Sequence, residues 1–278
     1  MNQQKQIYFH VGLGKTASTY LQNRFFTKLK GIHYIHTSLY KKSKKIIHQT
    51  DHSKYLVSRE FDQQLESEVK WFSSDFPDAK IIVFFRRQDG WIASQYKRFV
   101  KNGFPGTFTQ FIDVENDNGY WKKEDLLFYP KLKTLEHYFK SKPLVLFYEE
   151  FKKDPIPVFN KLCDFMGAEY DLNEVDLSPK HVSYNEKQLK VIRKIGWRFF
   201  RPNMPPIKNP VWRFLRRIYH MAIRYPILYG ALLVPESWVN PEPLIPPAEL
   251  EKVKKVFEED WKKCQEYAAT VQPGSAVE

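Results

Sequence analysis

The chain has 278 residues and carries 44 Lys and Arg against 32 Asp and Glu, a net charge of +12. That length allows one domain or two with a sizeable core, and so basic a balance calls for anionic partners. Two distant cysteines, Cys163 and Cys264, argue against a disulfide framework, and no apolar run reaches the roughly 18 residues of a membrane span.

The N-terminal residues 1–6 are polar and lack an apolar signal region, so the chain reads as soluble and cytoplasmic, at most peripheral at a membrane. An apolar run over 7–11 predicts a strand, and a helix is expected over 19–29. Between them lies Gly12-Leu13-Gly14-Lys15-Thr16-Ala17-Ser18-Thr19. A strand, a glycine-bearing turn, a lysine, three hydroxyl residues and a helix start together make an anion cradle. Free N–H groups and the helix dipole favour negative charge there, while Lys15 adds a point charge and the hydroxyls add donors. The nucleotide-triphosphate loop needs a further glycine five residues before Gly14, and that position is Phe9. An ATP-dependent kinase and an ordinary strand-to-helix turn stay as alternatives.

Further strands are predicted over 32–35 and 55–58, with a helix over 63–72. Glu60, just past the second of these strands, is the candidate general base for an acceptor hydroxyl. A surface glutamate paired with Arg59, or one lying before a helix that Asp62 caps, is the plain alternative. His10, His33 and His36 are the runners-up. The continuous apolar run 81–85 predicts a buried parallel strand that ends in Arg86, and a helix over 91–101 places Ser94 eight residues further on. Arg86 leaves the carboxyl end of its strand, where open α/β sheets bind ligands. A guanidinium fork and a hydroxyl suit a second phosphate. A helix over 129–139, a strand over 144–148 and helices over 157–166 and 186–195 complete a βα alternation. The predicted fold is therefore α/β, a P-loop-like parallel sheet flanked by helices on both faces.

Residues 1–195 are expected to form this core and 196–278 a proline-rich and helical C-terminal extension packing on it. The stretch 201–210 is proline-rich, 211–229 is basic and amphipathic, a second proline-rich turn lies near 240–247, and a single helix is expected over 247–267. For the basic amphipathic stretch, packing on the core with a solvated basic edge is the favoured expectation. Peripheral membrane contact through 211–234 is the alternative.

The loop Gly14-Lys15-Thr16-Ala17-Ser18-Thr19 resembles the phosphosulfate loop of sulfotransferases that use 3′-phosphoadenosine 5′-phosphosulfate (PAPS). The run from Arg86 to Ser94 resembles their 3′-phosphate site, and its Arg-Arg-Gln-Asp opening is similar to bacterial carbohydrate-type members. Gln88 stands where many relatives have proline. The likeness continues through Tyr120, the segments 144–151 and 159–167 and the loop 181–185, over roughly the first 190 residues. It implies PAPS as sulfuryl donor, adenosine 3′,5′-bisphosphate as product and no metal. It further implies an acceptor hydroxyl on a saccharide or glycolipid. In that scheme Gly14, Lys15, Thr16, Ala17, Ser18 and Thr19 bind the 5′-phosphosulfate, and Lys15 neutralises the bridging oxygen. Arg86 and Ser94 hold the 3′-phosphate, and Glu60 is the catalytic base. Phe104, Phe108, Tyr120 and Trp121 are candidates to stack on sugar rings. A non-catalytic module that binds anionic glycans is a further alternative. Nucleic acid is not expected, because the basic clusters 41–45 and 213–217 come without any zinc, zipper or RNA-recognition signature.

Overall fold

The computed structural model describes residues 5–178, 184–200 and 209–277. Five strands, β1 (Gln6–Gly12), β2 (His33–Ile35), β3 (Lys54–Glu60), β4 (Lys80–Phe85) and β5 (Leu144–Phe147), pair in the order β2-β3-β1-β4-β5. All pairings are parallel. All five lie where the apolar runs predict them.

Among the described residues there are twelve α-helical segments. The first, α1 (Ser18–Tyr20), runs on as a π turn over Leu21–Phe25 and a 3-10 turn over Phe26–Lys28, so the helix predicted over 19–29 is wound three ways. Then come α2 (Ser43–Gln49), α3 (Leu65–Ser73), α4 (Gln88–Lys101), α5 (Phe108–Phe111) and α6 (Tyr129–Tyr138). The chain continues with α7 (Tyr148–Lys153), α8 (Pro155–Met166), α9 (Glu186–Ile195), α10 (Pro210–Gly230), α11 (Pro247–Val256) and α12 (Glu258–Thr270). Other elements differ from the sequence pattern as well. The strand expected to run to Tyr148 stops at Phe147, and the chain turns at once into α7. The single helix over 247–267 breaks at Phe257 (φ −102°, ψ 8°), whose carbonyl receives the Trp261 amide.

Strand alternation divides the core in two. Tyr8, Leu56, Ile82, Phe84 and Leu146 bury one face against Leu21, Phe25 and Phe26 and against Phe159, Leu162 and Met166 of α8. On the other face Phe9 lies 4.2 Å from the Phe72 ring and stacks on Tyr40. Cys163 is a buried member of the first cluster, and burial pushes its thiol pKa up to about 11, so it serves as a small apolar filler.

The chain forms two compact units. The first comprises Met1–Gln88, Leu127–Ser178 and Phe257–Glu278 and contains the sheet. Its last segment is tied in by Asp260, which accepts the Phe128 and Tyr129 amides (2.8 and 3.1 Å) and the Gln88 side-chain amide (2.8 Å). The second comprises Asp89–Leu126 and Pro179–Val256. There Tyr96 donates to the Gly106 carbonyl (2.8 Å) and accepts from Arg193 (3.1 Å), and Trp91 meets Trp121 edge to face. A capping box of Asn185 and Gln188 opens α9. Arg201 to Lys208 of the proline-rich stretch lie outside the described residues, as do His181, Val182 and Ser183 of the loop 181–185.

Candidate functional site

Parallel strands end together, and here the pairing brings chemistry to one edge. Gly12 at the end of β1 is the register partner of Glu60 at the end of β3 and of Phe84 on β4. Phe85 in turn partners Phe147 on β5. The turn after β1, Glu60, Arg86 and Tyr148 therefore all leave the sheet at its carboxyl edge, within the first unit.

The turn is held in an unusual backbone shape. Lys15 (φ 72°) and Ala17 (φ 68°) both occupy the left-handed region that residues with a Cβ avoid. Four hydrogen bonds keep it there. The Thr16 hydroxyl donates to the Leu13 carbonyl (2.7 Å), the Gly14 amide donates to Asp62 Oδ1 (2.9 Å), and the Tyr20 and Leu21 amides donate to the Ala17 carbonyl. Thr16 and Ser18 are buried with their hydroxyls 3.3 Å apart, whereas Lys15 and Thr19 are exposed. Gly12 has a steric reason to be glycine: a Cβ there would sit 2.8 Å from Ser18 Oγ and 3.4 Å from His10 Nε2. Residues whose φ alternates in sign, as Lys15, Thr16 and Ala17 do, tend to turn successive N–H groups toward one concavity, an anion nest.

Arg86 is fixed beside this turn. Its guanidinium lies 4.4 Å from the centre of the Tyr148 ring and donates to the Lys15 carbonyl at 3.4 Å. The next residue, Arg87, gives its amide to Glu149 (3.0 Å). The structure thus brings Lys15, Glu60 and Arg86 to one sheet edge. Ser94 is half-buried in the second turn of α4, in the part of that helix that belongs to the second unit.

The histidines occupy other places. His10 is fully buried in β1, with Nδ1 2.7 Å from Ser58 Oγ, and Gln22 donates to the same oxygen (3.0 Å). Burial lowers its pKa to about 3, which keeps the ring neutral and away from solvent. His33 pairs with Tyr55 at the amino end of the strands and stacks on His52; burial and that neighbour lower its pKa. His36 caps a 3-10 turn by accepting the Ser38 amide. The amino edge of the sheet also opens on a cavity of about 920 Å³ beside Lys5, Gln6 and Lys80, whose Asp75 is already paired with Lys44 and His48.

Two site residues escape sequence reasoning. The N-cap of α3 is Gln64, which makes no side-chain cap bond, and the Asp62 carboxylate accepts the Gly14 amide. Tyr148 supplies the ring beneath Arg86, and only its position directly after an apolar run hints at it. Of the aromatics considered for sugar stacking, Phe108 and Trp121 are buried, and Tyr120 is exposed while stacking on Phe111. Among the described residues no group of His, Cys, Asp and Glu is arranged to hold a metal ion, and no helix is long and apolar enough to cross a membrane.

Comparison with known proteins gives a family match. The profile of the sulfotransferase domain matches residues 15–201. No curated protein matches the chain. Among solved structures, a sulfotransferase from Alicyclobacillus acidocaldarius is similar at 16% identity and a TM-score of 0.49, covering 76% of this chain and 99% of its own.

Proposed function

The chain belongs to the sulfotransferase domain family, and from that premise we propose that it moves a sulfuryl group from PAPS to a hydroxyl of a saccharide or glycolipid. The observation that carries the reading is the strained turn around Lys15, with Arg86 reaching its carbonyl and Glu60 paired with Gly12 beside it. A nest of N–H groups, an exposed ammonium and a guanidinium on one edge suit a donor with anionic groups at both ends.

In this reading the amides from Lys15 to Thr19, with the Ser18 and Thr19 hydroxyls, bind the 5′-phosphosulfate. Gly14 shapes the turn, its own amide being given to Asp62. Arg86 and Ser94 take the 3′-phosphate. The bond between sulfur and the bridging phosphate oxygen breaks as the acceptor oxygen attacks in line, and Glu60 accepts the hydroxyl proton. Lys15 meets the charge that develops on the bridging oxygen, an interaction stronger in the transition state than before it.

Thermal shift with adenosine 3′,5′-bisphosphate, ATP–Mg²⁺ and heparin, followed by sulfate transfer onto a glycan panel, tests the proposal. The bisphosphate should stabilise the chain, by about 2.7 kcal/mol at a hundred times its Kd. Glu60→Gln should abolish turnover and leave that stabilisation intact. A shift with ATP–Mg²⁺ alone would point to a kinase, and ligand capture without any sulfated product to a binding module.

A further inference from the structure

Helix α10 displays an apolar face that the other described residues leave open. Trp212, Phe214, Leu215, Ile218, Tyr219 and Tyr225 are all exposed, and so are Val211 and Tyr229. Successive helical residues turn by about 100°, which puts all eight on one arc of about 160° with no charged residue in it. The face continues past the helix, where Leu233 is 88% and Trp238 73% exposed. Scattered exposed apolar residues are ordinary, but a continuous band the length of a helix marks a partner surface.

Charge identifies that partner. On the same wheel Arg216 follows the Trp212 edge of the band and Arg217 precedes the Phe214 edge, with Arg213 and Arg224 behind. Together with Arg98 of α4 and Asn102 just after it, these arginines line a cleft of about 710 Å³. An apolar face rimmed on both sides by guanidinium groups, with tryptophan and tyrosine among its residues, is the pattern of a helix lying in a bilayer interface. A second copy of the chain fits less well. A two-fold contact sets the same patch against itself and would bring the arginine rims of both copies together.

We infer that α10 and the turn after it dock the protein on an anionic lipid bilayer. The apolar face enters the headgroup boundary, and the arginine rims and cleft meet lipid phosphates. This attachment is independent of the donor and acceptor assignments.

Flotation with phosphatidylglycerol and phosphatidylcholine vesicles tests it on the full chain, alongside light scattering. The chain should float with phosphatidylglycerol, bind phosphatidylcholine at least tenfold more weakly, and release as salt rises. Ile218→Glu and Leu233→Glu should each lower phosphatidylglycerol binding more than tenfold with an unchanged melting temperature, since both side chains are exposed. Arg216→Ser with Arg217→Ser should erase the preference for the anionic lipid. The inference is overturned if the intact chain stays unbound, if it binds both lipids equally, if the glutamate variants bind as well as the parent, or if the chain is a dimer that Ile218→Glu dissociates.

Discussion

Lys15 and Ala17 each hold a φ that costs on the order of 1–3 kcal/mol for a residue with a Cβ, and such strain survives only where its surroundings impose it. Asp62, Thr16 and the helix start impose it here. Charge and backbone shape at Lys15 separate cleanly by substitution. Lys15→Ala and Lys15→Gly should both lower kcat by roughly 10²–10³-fold, the usual loss for one transition-state donor. Glycine, free to adopt this φ, should be more stable than alanine by roughly 1 kcal/mol and melt at a higher temperature. Steady-state transfer rates and paired thermal melts check both expectations. The placing of Lys15, Glu60 and Arg86 at the carboxyl edge is legible in the bare sequence, because a run's end tells where a parallel strand delivers the residues that follow it. Asp62 and Tyr148 are not, because their roles depend on contacts with residues 48 and 62 positions away.

His10, Ser58 and Gln22 join β1, β3 and the π turn into one buried polar cluster between adjacent elements. His10 is neutral in the fold down to about pH 3, while in the unfolded chain it takes up a proton near its ordinary value of 6.5. The unfolded state therefore binds more protons between these limits. Stability is full above pH 6.5 and falls as pH drops toward 3, by up to about 1.4 kcal/mol per pH unit from this group. Urea unfolding from pH 7 to 4.5 should show that slope, and His10→Gln should flatten it while lowering stability at pH 7. Strands are the most readable elements of this chain, since continuous apolar runs bounded by polar residues leave little choice. Helices are less so. The basic cluster 41–45 reads as a solvated face, yet it runs into α2, where Ile47 is buried and Lys44 is tied to Asp75. The break at Phe257 falls inside a periodic apolar pattern that continues on both sides, so spacing alone does not mark it.

A net charge of +12 acts on any anionic ligand before contact is made. Screening shortens its reach from about 10 Å at 0.1 M salt to about 3 Å at 1 M. Raising sodium chloride from low to high should therefore increase KM for PAPS several-fold and leave kcat nearly unchanged. A KM indifferent to salt in steady-state assays would assign donor capture to short contacts alone. Chain order has its own consequence. Asp260 braces the starts of α4 and α6, the Phe147 ring meets Trp261, and Ser141 bridges to Ala276. The unit that carries the anion turn is thus closed by Phe257–Glu278, a segment that follows the whole second unit in the chain. During synthesis at about 5–20 residues per second, its sheet waits unbraced until the second unit has emerged. Synthesis therefore delivers the five strands well before their brace, and a transcript cut short after codon 256 yields a chain whose strands are complete but whose Asp260 never arrives.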